Sequence, residues 1–154
     1  MLDALLLACA PLIAPDTAAA LISVESRAKP YAIGVVAGRF DRQPRNLSEA
    51  VTTARALEAA GWNYSVGLAQ INKANFARHG LSIETAFDQC SNLRAMQSIL
   101  GECFGRASAR AEPQVALRRA FSCYYSGNFQ TGFQHGYVQK VVAAWNNGAS
   151  RAPR

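Results

Sequence analysis

Apolar residues recur along most of this chain at three- and four-residue intervals, the period of an α-helix that packs by one face. Behind Asp16, which reads as an N-cap, residues Ala18, Leu21, Ile22 and Glu25 fall at i, i+3, i+4 and i+7. In "SEAVTTARALEAAG" the apolar set is Ala50, Val51, Ala54, Leu57 and Ala60, with Ser48 as cap and Gly61 as stop. "NLRAMQSILGECF" places Leu93, Met96, Leu100 and Cys103 on one stripe. "PQVALRRAFSCYY" opens on Pro113, whose missing N–H suits a first helical position. "GYVQKVVAAW" carries Val138, Val141, Val142 and Trp145 at helical spacing and is followed by Gly148. Each stripe predicts a helix face turned to the core.

The period of two is scarce. "YAIGVVAG" and "SVGLAQIN" are short, β-branched and broken by glycine, and they predict two strands paired as a small ribbon. "GRFDRQPRN" reads as a polar loop and the ending "NNGASRAPR" as a frayed tail. The fold class that follows is mainly α (α+β), a helical domain with a minor β element between two early helices. At 154 residues one core is expected. It is placed at residues 1–148, with 149–154 as a flexible tail. No repeat or low-complexity block interrupts the chain.

Composition narrows the classes. Half of the residues are hydrophobic and 17% are charged, which excludes a disordered chain. The N-terminal "MLDALLLACAPLIA" is too short to cross a bilayer and has Asp3 where a secretion signal carries Lys or Arg. It reads as the first helix of the mature fold, with an export signal as the rival reading; no transmembrane segment is expected. The net charge of +6 suits an anionic partner: nucleic acid, a membrane surface or a wall polymer. Its cations are scattered, so charge alone does not choose among them.

Cys9, Cys90, Cys103 and Cys123 form an even set with no metal-ligand spacing. They read either as two disulfides or as four buried thiols. If Cys90 and Cys103 share one helix they lie roughly 20 Å apart at 1.5 Å per residue, too far to bridge. Bridged cysteines would then join Cys9 to Cys90 or Cys103, and Cys123 to the other.

Glu25 is the chemical oddity of the pattern. A carboxylate on an apolar stripe either finds a cation or loses solvation, and lost solvation raises its pKa. Arg27 and Lys29 are near in sequence, but a residue two positions along a helix points to a different face, and neither is an obvious partner. The plain reading is an ion pair with a distant Arg or a helix end near the surface; the sharper one is an acid. His79 and His135 are isolated, with no triad or metal arrangement around them. Gln70 offers a donor and an acceptor, and its plain reading is a satisfied loop amide.

Four segments in order shift the balance: "VES" at 24–26, "SVGLAQIN" at 65–72, "SCYYSGN" at 122–128 and "GYVQKV" at 136–141. Together they resemble the lysozyme-like lytic transglycosylases, specifically the VirB1-type members associated with type IV secretion and conjugation. The resemblance implies Glu25 as the catalytic acid with Ser26 beside it. It implies Ser26, Ser65, Gly67, Leu68 and Gln70, and Tyr124, Tyr125 and Tyr137, as substrate-binding positions. Ala69 stands where many relatives have Met, and Tyr125 where Asn is usual. It further implies a lysozyme-like fold with its β element beside the cleft, an exported periplasmic monomer, disulfides rather than free thiols, and no cofactor or metal. Peptidoglycan glycan strands and type IV secretion subunits are the implied partners.

The chemistry can be argued without the name. Cleaving a glycosidic bond requires a proton on the leaving oxygen and stabilisation of an oxocarbenium-like centre. Most glycosidases add a second carboxylate, yet Glu49, Glu58, Glu84, Asp88 and Glu102 all sit on polar stretches without a motif. A single Glu suits a transglycosylase, which closes a 1,6-anhydro sugar in place of adding water. The rival readings are a hydrolysing muramidase of the same fold and a glycan-binding assembly factor with little turnover. A basic nucleic-acid binder explains neither Glu25 nor "SVGLAQIN", so no nucleic acid is expected.

Overall fold

The computed structural model describes residues 1–151, and in it the hydrophobic stripes become helices around a small antiparallel sheet. In chain order the elements are α1 (Leu2–Cys9), α2 (Pro15–Ser26), β1 (Ile33–Val35), α3 (Leu47–Ala59), β2 (Tyr64–Val66) and β3 (Ile71–Asn72). Then come α4 (Ile83–Ala86), α5 (Gln89–Ser108), α6 (Pro113–Ser126), α7 (Thr131–Gln134) and α8 (Tyr137–Arg151). Two 3₁₀ turns, Lys73–Asn75 and Ala77–His79, lead from the sheet to α4. The mainly helical class read from the sequence is the observed one.

The core is built from the predicted stripes. Leu21 and Ile22 of α2, Leu93, Met96 and Leu100 of α5, and Val138 and Val141 of α8 are buried together. α5 packs along α6, and α2 lies against α8, so α2 is held inside the helical layer. Fully burying side chains of this size is worth about 1.5–3 kcal/mol each. Two disulfides tie the layer: Cys9–Cys90 joins α1 to α5, and Cys103–Cys123 joins α5 to α6. Cys90 and Cys103 do share α5.

Several local readings are corrected. α2 starts one residue before Asp16, because Pro15 at the first position is already in helical φ and needs no N–H partner; Asp16 sits in the first turn. The cap of α3 is Asn46, whose side chain accepts from the Glu49 N–H, while Ser48 lies inside the first turn. Trp145 is 44% exposed, because the far end of α8 runs past the surface that its neighbours cover. α8 also continues through Gly148 to Arg151; beyond Arg151 the expected tail lies outside the described residues.

The sheet differs from a two-strand ribbon. "SVGLAQIN" folds back on itself, so Val66 of β2 pairs with Ile71 of β3 across residues 67–70. β2 also pairs with β1, giving the order β1-β2-β3 with Ile33 opposite Val66. Only β1 lies between α2 and α3; β2 and β3 follow α3. The polar loop has a definite task as well. The Gln43 amide donates to the Ile33 carbonyl at 3.1 Å and accepts from its N–H at 2.8 Å, satisfying backbone groups that the sheet leaves open.

Candidate active site

The turn between β2 and β3 is fastened from three sides. From α2, the Ser26 hydroxyl donates to the Leu68 carbonyl at 2.6 Å. From α5, the fully buried Asn92 accepts from the Ala69 N–H at 2.9 Å and donates to the carbonyls of Val66 and Ala86 at 3.0 and 2.9 Å. From α6, the Tyr124 hydroxyl donates to the Ala69 carbonyl at 2.7 Å. Gly67 has φ +81°, and a Cβ there would lie 2.3 Å from Asn92 Nδ2, so both the backbone angle and the space demand glycine. The turn closes at Gln70, which holds φ +51° without being glycine. Two carbonyl acceptors, Ala32 and Gly67, each 3.0 Å from Nε2, fix the orientation of its amide.

Asn92→Ala removes three hydrogen bonds and strands the Ala69 N–H and two carbonyls. Unsatisfied buried groups cost about 1–3 kcal/mol each, partly relieved by water, so a loss of about 3 kcal/mol is expected. In a chain of this size a thermal melt then shifts down by roughly 6–12 °C.

Beside this turn runs a cleft of about 820 Å³ between the sheet and the helical layer. Glu25, in the last turn of α2, lines it together with Ser65, Gln70, Tyr124, Tyr125 and Tyr137. Ser26, Gly67 and Leu68 stand behind the cleft wall, where they shape the turn. Gln70 has committed both of its N–H groups inward, so the carbonyl oxygen, seated against Gly34, is what it has left for a ligand.

Glu25 keeps a sliver of surface toward the cleft, while most of its surroundings are protein. Burial raises its carboxyl from 4.5 to about 7, and the nearby Tyr137 hydroxyl offsets this only in part. No cation pairs with it; the ion pairs among the described residues are Arg42–Glu49, Arg55–Glu84, Lys73–Glu58 and Arg78–Glu102. The Tyr137 hydroxyl faces Glu25 but closes no hydrogen bond of ordinary geometry, to it or to any other described group. Burial holds the phenols of Tyr124 and Tyr137 well above their usual range, so both remain neutral donors. The cleft thus contains a carboxyl that is protonated up to neutral pH and can give and retrieve one proton.

Glu49, Glu58, Glu84, Asp88 and Glu102 are all occupied. Glu49, Glu58 and Glu84 are paired away from the cleft, and Asp88 caps α5 through the Ser91 N–H at 2.8 Å. Glu102 alone of them reaches the cleft, and there it is bonded to Arg78 at 3.1 Å. Among the described residues no cluster of three His, Cys, Asp or Glu side chains could hold a metal ion. Sequence reasoning missed Asn92, although the signal was available: it shares the 92, 96, 100 stripe with Met96 and Leu100, and an amide on a buried stripe needs partners just as Glu25 does.

The raised Glu25 carboxyl has a stability consequence. The native state holds its proton more tightly than the unfolded chain, so stability falls as pH rises from about 4.5 toward 7. Above pH 7 the full cost of a buried charge is present, roughly 3 kcal/mol at about 1.36 kcal/mol per pKa unit. Glu25→Gln is therefore expected to raise the melting temperature by several degrees at pH 8 and to change it little at pH 4, a comparison that two calorimetric scans decide.

The model of the transglycosylase SLT domain matches residues 7–154. The type IV secretion system protein VirB1 of Brucella abortus is 52% identical over 88% of this chain and 60% of its own length. Protein VirB1 of Agrobacterium fabrum is 36% identical over 88% of this chain and 56% of its own. That of Rhizobium radiobacter is 38% identical over 88% and 57%. The chain therefore spans less than two thirds of the length of these curated relatives. No solved structure matches it. Because the family match begins within α1 and runs through every later element, the chain belongs to the transglycosylase SLT domain family, in which it is similar to the VirB1 proteins.

Proposed function

We propose that this protein is a peptidoglycan lytic transglycosylase that cleaves the β-1,4 bond between N-acetylmuramic acid and N-acetylglucosamine, with Glu25 as its single acid and base. The observation that carries the reading is a desolvated Glu25, unpaired with any cation among the described residues, in a cleft whose other acid, Glu102, is bonded to Arg78. In the first step Glu25 gives its proton to the bridging oxygen as the C1–O bond breaks. The carboxylate then takes the proton of the muramic acid 6-hydroxyl while that oxygen bonds to C1. The 1,6-anhydro sugar forms, Glu25 regains its proton, and no water is consumed. Ser65, Gln70, Tyr124, Tyr125 and Tyr137 would contact the glycan, a reading supported by their lining the cleft.

The compartment and the partners follow from weaker grounds. Two disulfides suit an oxidising space such as the periplasm, and the net charge of +6 suits an anionic wall. Among the described residues no helix is long and apolar enough to cross a membrane. The Brucella relative's name, a type IV secretion system protein, is the ground for placing the activity beside such an apparatus, where it would open the wall locally. We take the working unit to be a monomer without cofactor.

Digestion of purified peptidoglycan followed by mass spectrometry tests the reading. Anhydromuropeptides, lighter by one water than the hydrolysis products, are the expected result. Reducing-end products would convert the assignment to a hydrolysing muramidase. Binding without products would leave a glycan-binding assembly factor.

A further inference from the structure

Tyr125 and His135 take no part in the proton transfers above, yet an unbroken set of contacts joins them to Glu25. Tyr125, in the last turn of α6, is 44% exposed and lines the cleft. Its ring stacks on Tyr137, with centroids 4.6 Å apart and planes 16° from parallel. Its hydroxyl shares a 2.9 Å hydrogen bond with His135 Nδ1, and the two rings meet edge to face at 5.7 Å. His135 ends α7, Gly136 turns the chain at φ +77°, and Tyr137 begins α8.

The Tyr137 hydroxyl closes no hydrogen bond of ordinary geometry among the described residues, so its own bonding holds it only weakly and the place of Tyr137 Oη over Glu25 depends on how its ring is packed. Tyr125 supplies one face of that packing. Left alone, a phenol this exposed would sample several rotamers; tied at its hydroxyl and stacked along its ring, it is confined. Resting on the function proposed above, we propose that His135 and Tyr125 are positioning residues: His135 anchors Tyr125, and Tyr125 clamps the Tyr137 ring so that its hydroxyl stays over Glu25 and water stays away from the carboxyl. Neither residue touches the reacting atoms. An Asn at position 125, usual in the family that the motifs resemble, has no ring to stack, so the clamp is built on this chain's departure from the pattern.

Of the ionisable groups around Glu25, Tyr137 from α8 acts on its carboxyl, and Glu25 in turn raises the phenol of Tyr124 from α6. Arg78, Glu102, Arg106 and Lys140 line the same cleft and do not enter its shift. Solvent exclusion is therefore what the clamp would control.

The test follows the Glu25 carboxyl directly, by ¹³C NMR titration of glutamate-labelled protein, with the signal assigned by its loss in Glu25→Gln. The same variants are assayed for kcat and KM on purified glycan strands. Tyr125→Ala is expected to lower the Glu25 midpoint by about one pH unit and kcat by about tenfold, with KM moving less. His135→Ala and Tyr125→Phe, which cut the anchor but leave a ring or its stack, should shift the midpoint in the same direction by a smaller amount. A midpoint unchanged in both Tyr125→Ala and His135→Ala would overturn the proposal, even if KM rose, since Tyr125 would then be only a sugar contact. The NMR arm needs no turnover. A wild-type protein that cleaves no glycan but whose Glu25 midpoint falls in the variants would refute the proposed activity and leave the positioning pair standing.

Discussion

Glu25→Gln is expected to lower glycan cleavage by about 10³-fold, since one positioned acid or base contributes 10²–10⁴-fold and this variant removes both roles from one residue. Gln has nearly the same shape and cannot release a proton, so the cleft should keep its form and its affinity for glycan strands. The pH profile of the wild type gives an independent check. Cleavage begins from the protonated form, so kcat/KM should be level in acid and fall about tenfold per pH unit above 7, where the carboxyl titrates. A rate that rose through pH 7 would mean that Glu25 starts as a base. Full activity in Glu25→Gln would remove it from the mechanism.

Loss of the Cys9–Cys90 bridge should have the largest effect on stability. It closes a loop of 81 residues, against 20 for Cys103–Cys123. Loop-closure entropy assigns the longer loop roughly 4.5 kcal/mol and the shorter roughly 3. The paired change Cys9→Ser with Cys90→Ser is therefore expected to lower the melting temperature by about 10–15 °C, the more severe loss of the two. Activity should rank the other way. Cys103 and Cys123 line the cleft, and Arg106 donates to the Cys123 sulfur at 2.8 Å, whereas Cys9–Cys90 joins α1 to α5 away from it. Melts and turnover measured on both double variants at a temperature where each is folded would decide both orders.

The two effects share an origin in how α2 is placed. Its buried residues, Leu21 and Ile22, hold it within the helical layer, and the same burial makes the carboxyl one turn later expensive to ionise. A protein selected for stability alone would not keep an acid there. The expected gain in stability of Glu25→Gln at pH 8 and its expected loss of cleavage are thus two readings of one desolvated group.

Much of this was legible along the chain. The stripes of α2, α5 and α8 could be read because a helix repeats its buried face every three to four residues, and Glu25 was conspicuous because it broke such a stripe. The helix starts differ from the expectation at Asp16 and Ser48: α2 opens on Pro15 behind Ala14, so Asp16 falls in its first turn, and the cap of α3 is Asn46, two residues before Ser48. "SVGLAQIN" reads as one strand because it is short and carries β-branched Val66 and Ile71; its reversal depends on Gly67 and Gln70 at positive φ, and a glutamine there carries no local signal.

By itself, then, the sequence determined the helical class, most of the buried stripe residues and the acid that breaks such a stripe, since each is a property of spacing within a single element. Only the tertiary structure decided which groups meet that acid. Ser26, Asn92 and Tyr124 come from three helices to grip one four-residue turn. The Tyr125–His135 bond brings an isolated histidine to within two rings of Glu25. The acids that might have shared the chemistry are paired with Arg42, Arg55, Lys73 and Arg78 by contacts seven to 29 residues apart in the chain. Such pairings are set by where whole helices pack, a balance summed over the entire core that no local pattern encodes.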